Sequence, residues 1–146
     1  MRTAWVVCLL VLAGCAPPGP EKPAACAVNQ GALPDWARAG FSPPDQQVRY
    51  ALGAQGEILG VLFTDSLQVP PPPTGSNKIL WVSKSDSAGP LKIDATLAGS
   101  GLTTTREVPD GPGPSNVDLP APGCWSLELS WPGHHDRVEL PYRAGG

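Results

Sequence analysis

The sequence predicts an all-β protein, an antiparallel β-sandwich of about seven to eight strands. Three observations lead to this prediction. The chain holds 17 Gly and 19 Pro among 146 residues, a composition that disfavours long helices and favours short strands joined by turns. Apolar residues recur with a period of two in several segments, as they do in half-buried strands. Turn signals separate these segments at spacings typical of sandwiches, and no helical period lies between them.

The N-terminus reads as an export signal. A basic residue, Arg2, is followed by an apolar run over residues 4–12 and by small residues before Cys15, which is the pattern of a removable signal. The run is too short to span a membrane. The tetrapeptide Leu12-Ala13-Gly14-Cys15 resembles the lipobox of bacterial lipoproteins. The resemblance implies that residues 1–14 are removed and that Cys15 is lipidated; the alternative is ordinary cleavage nearby with Cys15 incidental.

The next segment predicts a tether and then a folded domain. Residues 16–34 are rich in proline and have no apolar period, so residues 15–34 are expected to form a lipidated, extended tether. Residues 35–146 are expected to form a single β-sandwich domain. Its first element is one helical turn over residues 35–40, which places Trp36 against the domain.

Seven strands follow in the sequence, and residues 115–119 are a candidate for an eighth. The first predicted strand has Val48, Tyr50 and Leu52 on its buried face, and a turn over residues 53–56 leads to a strand that is apolar on both faces. Most later strands alternate, and the last two form a hairpin around a turn at residues 132–136. The predicted strands are residues 48–52, 58–63, 79–82, 91–97, 102–108 (an exposed or edge strand), 115–119, 123–131 and 137–142.

The cysteines suggest one disulfide. Cys8 leaves with the signal and Cys15 takes the lipid, so Cys26 and Cys124 remain, and exported proteins commonly pair such thiols. In residues 123–131 the tryptophans and leucines share one face, which must be the core face, so Cys124 points outward. We therefore predict that a Cys26–Cys124 bond pins the tether to the domain. A reactive or metal-binding thiol pair is the alternative.

The segment Gly123-Cys124-Trp125-Ser126-Leu127 resembles the G-x-Y-x-C start of an immunoglobulin F strand. Trp125 stands where the tyrosine is usual, and Leu127 stands where the core cysteine is usual; Trp125 lacks the hydroxyl of a tyrosine corner. Trp81 is similar to the buried tryptophan of strand C. These resemblances imply an immunoglobulin-like sandwich.

Three longer blocks carry a second resemblance. They read P-D-W-A-R-A-G-F, N-K-I-L-W-V-S-K and L-P-A-P-G-C-W-S-L-E-L, and they are similar to uncharacterised secreted proteins of actinobacteria and related soil bacteria. The resemblance implies a single-domain exported module and supplies no activity.

Charge and motifs exclude several functions. The net charge is −3, so the chain lacks the basic field that holds a phosphate backbone, and no nucleic-acid partner is expected. Neither a G-x-S-x-G elbow nor a phosphate-binding glycine spacing occurs, so neither an enzyme nor a cofactor is predicted. A hydrolase that uses scattered carboxylates, such as Asp65 or Glu57 with Glu128, stays as a remote alternative.

His134, His135 and Asp136 form the densest set of metal-capable side chains, and they raise a copper or zinc hypothesis. Neighbouring residues of an extended chain point to opposite faces, and a third strong ligand is missing. We therefore predict two solvated turn histidines and no metal site.

The sequence as a whole predicts an envelope lipoprotein, anchored by Cys15 on the extracytoplasmic side of a membrane, with a non-enzymatic binding or accessory module. Its partners are the membrane, through the lipid, and an unidentified envelope protein or ligand. A metal-handling domain that uses His134 and His135 is the alternative function.

Overall fold

A computed structural model describes residues 26–86 and 88–146 as a β-sandwich of two five-stranded sheets, which confirms the predicted fold class. In this part of the chain the only helical element is a 3₁₀-helix, Asp35–Gly40, and no helix is long and apolar enough to cross a membrane. The strands are β1 (Asn29–Gly31), β2 (Val48–Leu52), β3 (Ile58–Leu62), β4 (Leu67–Val69), β5 (Lys78–Ser83), β6 (Leu91–Leu97), β7 (Thr103–Val108), β8 (Pro114–Asn116), β9 (Gly123–Trp131) and β10 (His134–Ala144).

The first sheet has the strand order β1-β2-β3-β5-β8, and the second has the order β4-β10-β9-β6-β7. All pairs are antiparallel except β4 with β10, which is parallel and corrects the prediction of purely antiparallel sheets. From β3 onward the order is immunoglobulin-like. Strands β5 and β9 lie in opposite sheets, in the places of the B and F strands, and β1 and β2 extend the first sheet at its edge.

Two strands escaped prediction, because each has three residues and so no readable period. One is β4. The other, β1, pairs with β2 from Asn29 opposite Tyr50 to Gly31 opposite Val48. The folded domain therefore begins before the predicted boundary at residue 35. The remaining part of the predicted tether, residues 15–25, lies outside the described residues, as does the predicted signal.

The hairpin β9–β10 confirms the predicted core face. Trp125, Leu127, Leu129 and Trp131 are all buried. The turn is shorter than predicted: only Pro132 and Gly133 connect the strands, and Gly133 has a φ of 76°. A proline followed by a glycine with positive φ is the pattern of a type II turn. The histidines therefore belong to β10.

Strand β3 is buried on both faces, as its sequence predicts. One face meets the second sheet. The other contributes Leu59 and Val61 to a separate outer cluster, which the N-terminal segment around Leu33 and Ala37 covers.

The predicted faces of β2 are wrong. Ala51 lies in the core between the sheets, whereas Leu52 is 41% exposed. Val48 and Tyr50 pack into the outer cluster. Their apolar face is therefore partly buried, but beneath the N-terminal segment and not between the sheets.

Trp81 lies on β5, so it does not occupy the place of the strand C tryptophan. It is buried opposite Gly60 of β3, where a Cβ atom would lie 2.9 Å from Ile79 Cγ2 and 3.0 Å from the Trp81 ring. Its indole N–H donates to Ser115 Oγ at 3.1 Å, which ties β5 to β8.

Trp125 makes a hydrogen bond equivalent to that of a tyrosine corner, although it has no hydroxyl group. Its indole Nε1 donates to the backbone oxygen of Ala121 at 2.9 Å, four residues upstream. An N–H group thus takes the place of the tyrosine hydroxyl at the start of the F-like strand.

Candidate functional site

The structure brings two of the predicted site residues together. Cys26 and Cys124 form a disulfide, with their Cα atoms 5.7 Å apart. Cys124 lies at the start of β9 in the second sheet, and Cys26 precedes β1 of the first, so the bond ties the N-terminal segment across the sandwich. A carboxylate oxygen of Glu139 lies 4.0 Å from Cys124 Sγ. Bonded sulfurs offer no thiolate for nucleophilic attack or metal ligation. Cys15 lies outside the described residues.

The predicted metal candidates do not converge. The ring of His134 stacks on Trp131, with centroids 5.5 Å apart, whereas His135 is exposed on the opposite face of β10. Asp136 is buried. In residues 26–86 and 88–146, one trio of Cys, His, Asp or Glu side chains is close enough to share a metal: the two disulfide cysteines with Glu139.

The carboxylates of the hydrolase hypothesis lie on separate surfaces. Glu57 precedes β3 and forms an ion pair with Lys84 at 3.5 Å. Asp65 is exposed beyond the other end of β3, and Glu128 is exposed on the outer face of β9. This arrangement does not provide the paired carboxylates that acid and base catalysis on a glycoside requires.

Asp136 has a structural role that the sequence analysis missed. Its carboxylate accepts backbone N–H groups of Gln55 at 2.8 Å, Glu57 at 2.9 Å and Arg137 at 2.7 Å. The backbone N–H of Ala54 also donates to the Arg137 oxygen at 2.8 Å. These bonds fasten the β2–β3 turn of the first sheet to β10 of the second.

A second polar network joins the sheets near the other end of β10. Asn77, fully buried, accepts the backbone N–H of Gln68 and donates to the Gln68 oxygen and to an Asp118 carboxylate oxygen, each at 2.8 Å. The Tyr142 hydroxyl donates to the Val117 oxygen at 2.7 Å. These polar groups satisfy one another within the fold, as buried polar groups must.

The pKa of Tyr142 is raised above its ordinary value of about 10. Burial is the main cause and the Asp118 charge adds to it, while Arg106 opposes it. Because the unfolded tyrosine releases its proton at a lower pH than the folded one, its contribution to stability is complete below pH 10 and falls as the pH rises above that value.

Replacing Tyr142 with Phe therefore has a pH-dependent effect. At pH 8 we expect a loss of about 1 kcal/mol of unfolding free energy, since one hydrogen bond disappears. Above pH 10 the difference from the wild type should shrink, by at most about 1.4 kcal/mol per pH unit. Urea unfolding of both proteins between pH 8 and 11 measures this difference in unfolding free energy. A difference that stays constant over this range would contradict the raised pKa of Tyr142.

A polar pocket opens beside β1, β2 and the end of β3. Its volume is about 520 Å³, against about 240 Å³ for a pocket beside the disulfide. The register places Arg49 of β2 between Gln30 of β1 and Leu62 of β3. We call it the Arg49 pocket; its lining residues are Gln30, Gln47, Val48, Arg49, Leu62, Phe63, Thr64 and Asp65.

Arg49 brings a positive charge to this pocket, which the acid Asp65 also lines. Its guanidinium forms no salt bridge or side-chain hydrogen bond with any described residue, and its Nε atom is shielded from water without a partner. Phe63 is 58% exposed, and Lys78 Nζ lies 5.3 Å from the centroid of its ring. Sequence reasoning missed this site because it placed Val48, Tyr50 and Leu52 on the buried face of this strand, which left Arg49 on its outer face.

No protein-family model matches this chain, and neither does any curated protein or solved structure. The likeness to secreted actinobacterial proteins therefore stays a prediction.

Proposed function

We propose that this protein is a lipoprotein of a bacterial cell envelope, held on the extracytoplasmic side of a membrane by a lipid on Cys15, and that its sandwich is a non-enzymatic binding or accessory module. The observation that carries the proposal is the Leu12-Ala13-Gly14-Cys15 box, which closes a short apolar run after Arg2. Run length, box and position agree with a removable, lipid-directing signal.

The disulfide supports export. Such bonds persist outside the cytosol and are rare within it, and Cys26 and Cys124 are bonded in the folded chain.

The bond also supports a role in holding the domain to its tether when the tether is pulled. The sequence of residues 16–25 holds four prolines and, in an extended conformation, would reach about 30 Å. Because Cys26 is bonded to β9, a pull on the tether acts on this covalent link before it acts on the three-residue strand β1.

The arrangement of polar groups supports a binding role over an enzymatic one. The buried side chains of Asn77 and Asp136 are occupied by hydrogen bonds that hold the two sheets together. Such groups are committed to structure and not to proton transfer. Arg49, by contrast, lines a pocket that is open to solvent, and its Nε atom has no hydrogen-bond partner among the described residues, which suits ligand binding.

The anchor is tested by expressing the full chain with its own signal in a bacterium and measuring the intact mass after detergent extraction. We expect a protein that lacks residues 1–14 and carries acyl mass. Cys15→Ser should lose the acyl mass and leave the membrane fraction. Cys8→Ser, a matched change in the signal, should leave lipidation intact. A mature chain without acyl mass, or loss of lipid only with Cys8→Ser, would overturn the proposal.

A further inference from the structure

We infer that the Arg49 pocket binds a ligand that carries a single carboxylate beside an apolar portion. The inference rests on the binding role proposed above and gives it a ligand class. It does not depend on the lipid anchor.

The charge of Arg49 is the first argument. A guanidinium is always ionised in proteins, and this one has no carboxylate partner among the described residues. Its Nε–H is shielded from water without an acceptor, which costs free energy in the unliganded protein. An anion in the pocket compensates the charge and supplies an acceptor to the guanidinium.

The shape of the donor set favours a carboxylate. A planar guanidinium matches a carboxylate through two parallel N–H···O bonds. Gln30, directly across from Arg49 on β1, has an exposed side-chain amide that adds a donor. Asp65 lines the same pocket, and its negative charge disfavours ligands with several negative charges, such as phosphate dianions.

Phe63 supplies the apolar contact. Its ring is more than half exposed although it follows directly on a buried strand, and exposed large apolar side chains beside a polar pocket are typical of binding surfaces. Lys78 lies over the ring and adds a second positive charge near the pocket. A ligand whose apolar body rests on Phe63 places its carboxylate toward Arg49.

A peptide C-terminus with an apolar side chain presents this chemistry, and so does a sugar acid through the apolar C–H face of its ring, so the test has one arm for each. The purified protein is titrated, with binding followed by ¹H–¹⁵N NMR, with N-acetylleucine against N-acetylleucinamide, and with glucuronate against glucose. We expect saturable shifts of the Arg49 guanidinium and Phe63 amide signals with at least one acid. The dissociation constant of its uncharged counterpart should be higher by about tenfold or more.

Variants decide whether Arg49 is responsible. Arg49→Gln should weaken binding of the acid about tenfold or more, and Arg49→Lys should also weaken it, because an ammonium lacks the planar fork. Arg143, exposed on β10 and outside the pocket, is the matched control, and Arg143→Gln should bind as the wild type does. Thermal unfolding checks that each variant is folded; if Arg49→Gln is not, Arg49→Lys and the wild-type shifts decide.

Three results would overturn the inference: no saturable binding of either acid at millimolar concentration, equal binding of an acid and its uncharged counterpart, or equal weakening by Arg143→Gln and Arg49→Gln. None of them bears on the acyl mass at Cys15. Failure of the carboxylate site and failure of the lipoprotein proposal are therefore separate outcomes.

Discussion

Replacing both Cys26 and Cys124 with serine is expected to lower the free energy of unfolding by about 4 to 5 kcal/mol. The two cysteines are separated by 98 positions in the sequence, so their bond closes most of the domain into a loop. In the chain-entropy model a loop of that length restricts the unfolded chain strongly and stabilises the fold by this amount. Small domains are stable by about 5 to 15 kcal/mol in total, so the loss is a large share.

Urea unfolding of the wild type and the double variant measures this effect. The wild type in the presence of a reductant is the control, and its stability should fall to that of the double variant, because both then lack only the cross-link. Loss of the disulfide should also loosen the structure locally, next to Cys26. We expect faster hydrogen exchange in β1 and in the 3₁₀-helix, since the chain beyond Cys26 is no longer held to β9. Equal stability of the oxidised wild type and the double variant would contradict the prediction.

The sequence predicted the long, regular strands well, because their side chains follow a clear period. Strand β6 alternates buried and exposed residues as predicted, and β9 places its tryptophans and leucines in the core. Strands β1 and β4 were missed, since three residues carry no period and their pairing depends on distant backbone groups.

The two faces of β2 show a limit of this kind of prediction. A period of two separates the faces of a strand but does not say which face meets the other sheet. In this protein the N-terminal segment covers the outside of the first sheet, so Val48 and Tyr50 are partly buried there. Arg49 lies on the other face of the strand, which the predicted burial of Val48, Tyr50 and Leu52 left outside the core.

The candidate site was only partly predictable for the same reason. The cysteine pair could be found by elimination and by the outward face of Cys124. The role of Asp136 could not be predicted, because two of its three partners are backbone N–H groups about eighty residues away. The sequence held one indication of this role: Asp136 is an acidic residue at an inward-facing position, two residues before Val138. The prediction of a turn over residues 132–136 concealed that position.

Replacing Asp136 with Ala is expected to lower the free energy of unfolding by about 3 to 5 kcal/mol. Three buried or partly buried backbone N–H groups, those of Gln55, Glu57 and Arg137, lose a charged acceptor at once. Hydrogen bonds to a charged group contribute about 1.5 to 3 kcal/mol each, and water that enters the vacated site recovers part of their sum. Asp136→Asn should cost less, since one oxygen remains, but its amide then faces an N–H group.

The matched control is Asp94→Ala, which removes an exposed acid from β6 that accepts one hydroxyl bond, from Thr105. Substitutions at exposed positions of this kind typically alter the free energy of unfolding by less than about 0.5 kcal/mol. Hydrogen exchange then identifies the cause: with Asp136→Ala, the Gln55 and Glu57 amides should lose protection first, because they lie in the turn that the carboxylate holds against β10. If the variant is destabilised while both amides stay protected, the loss comes from packing and not from these hydrogen bonds.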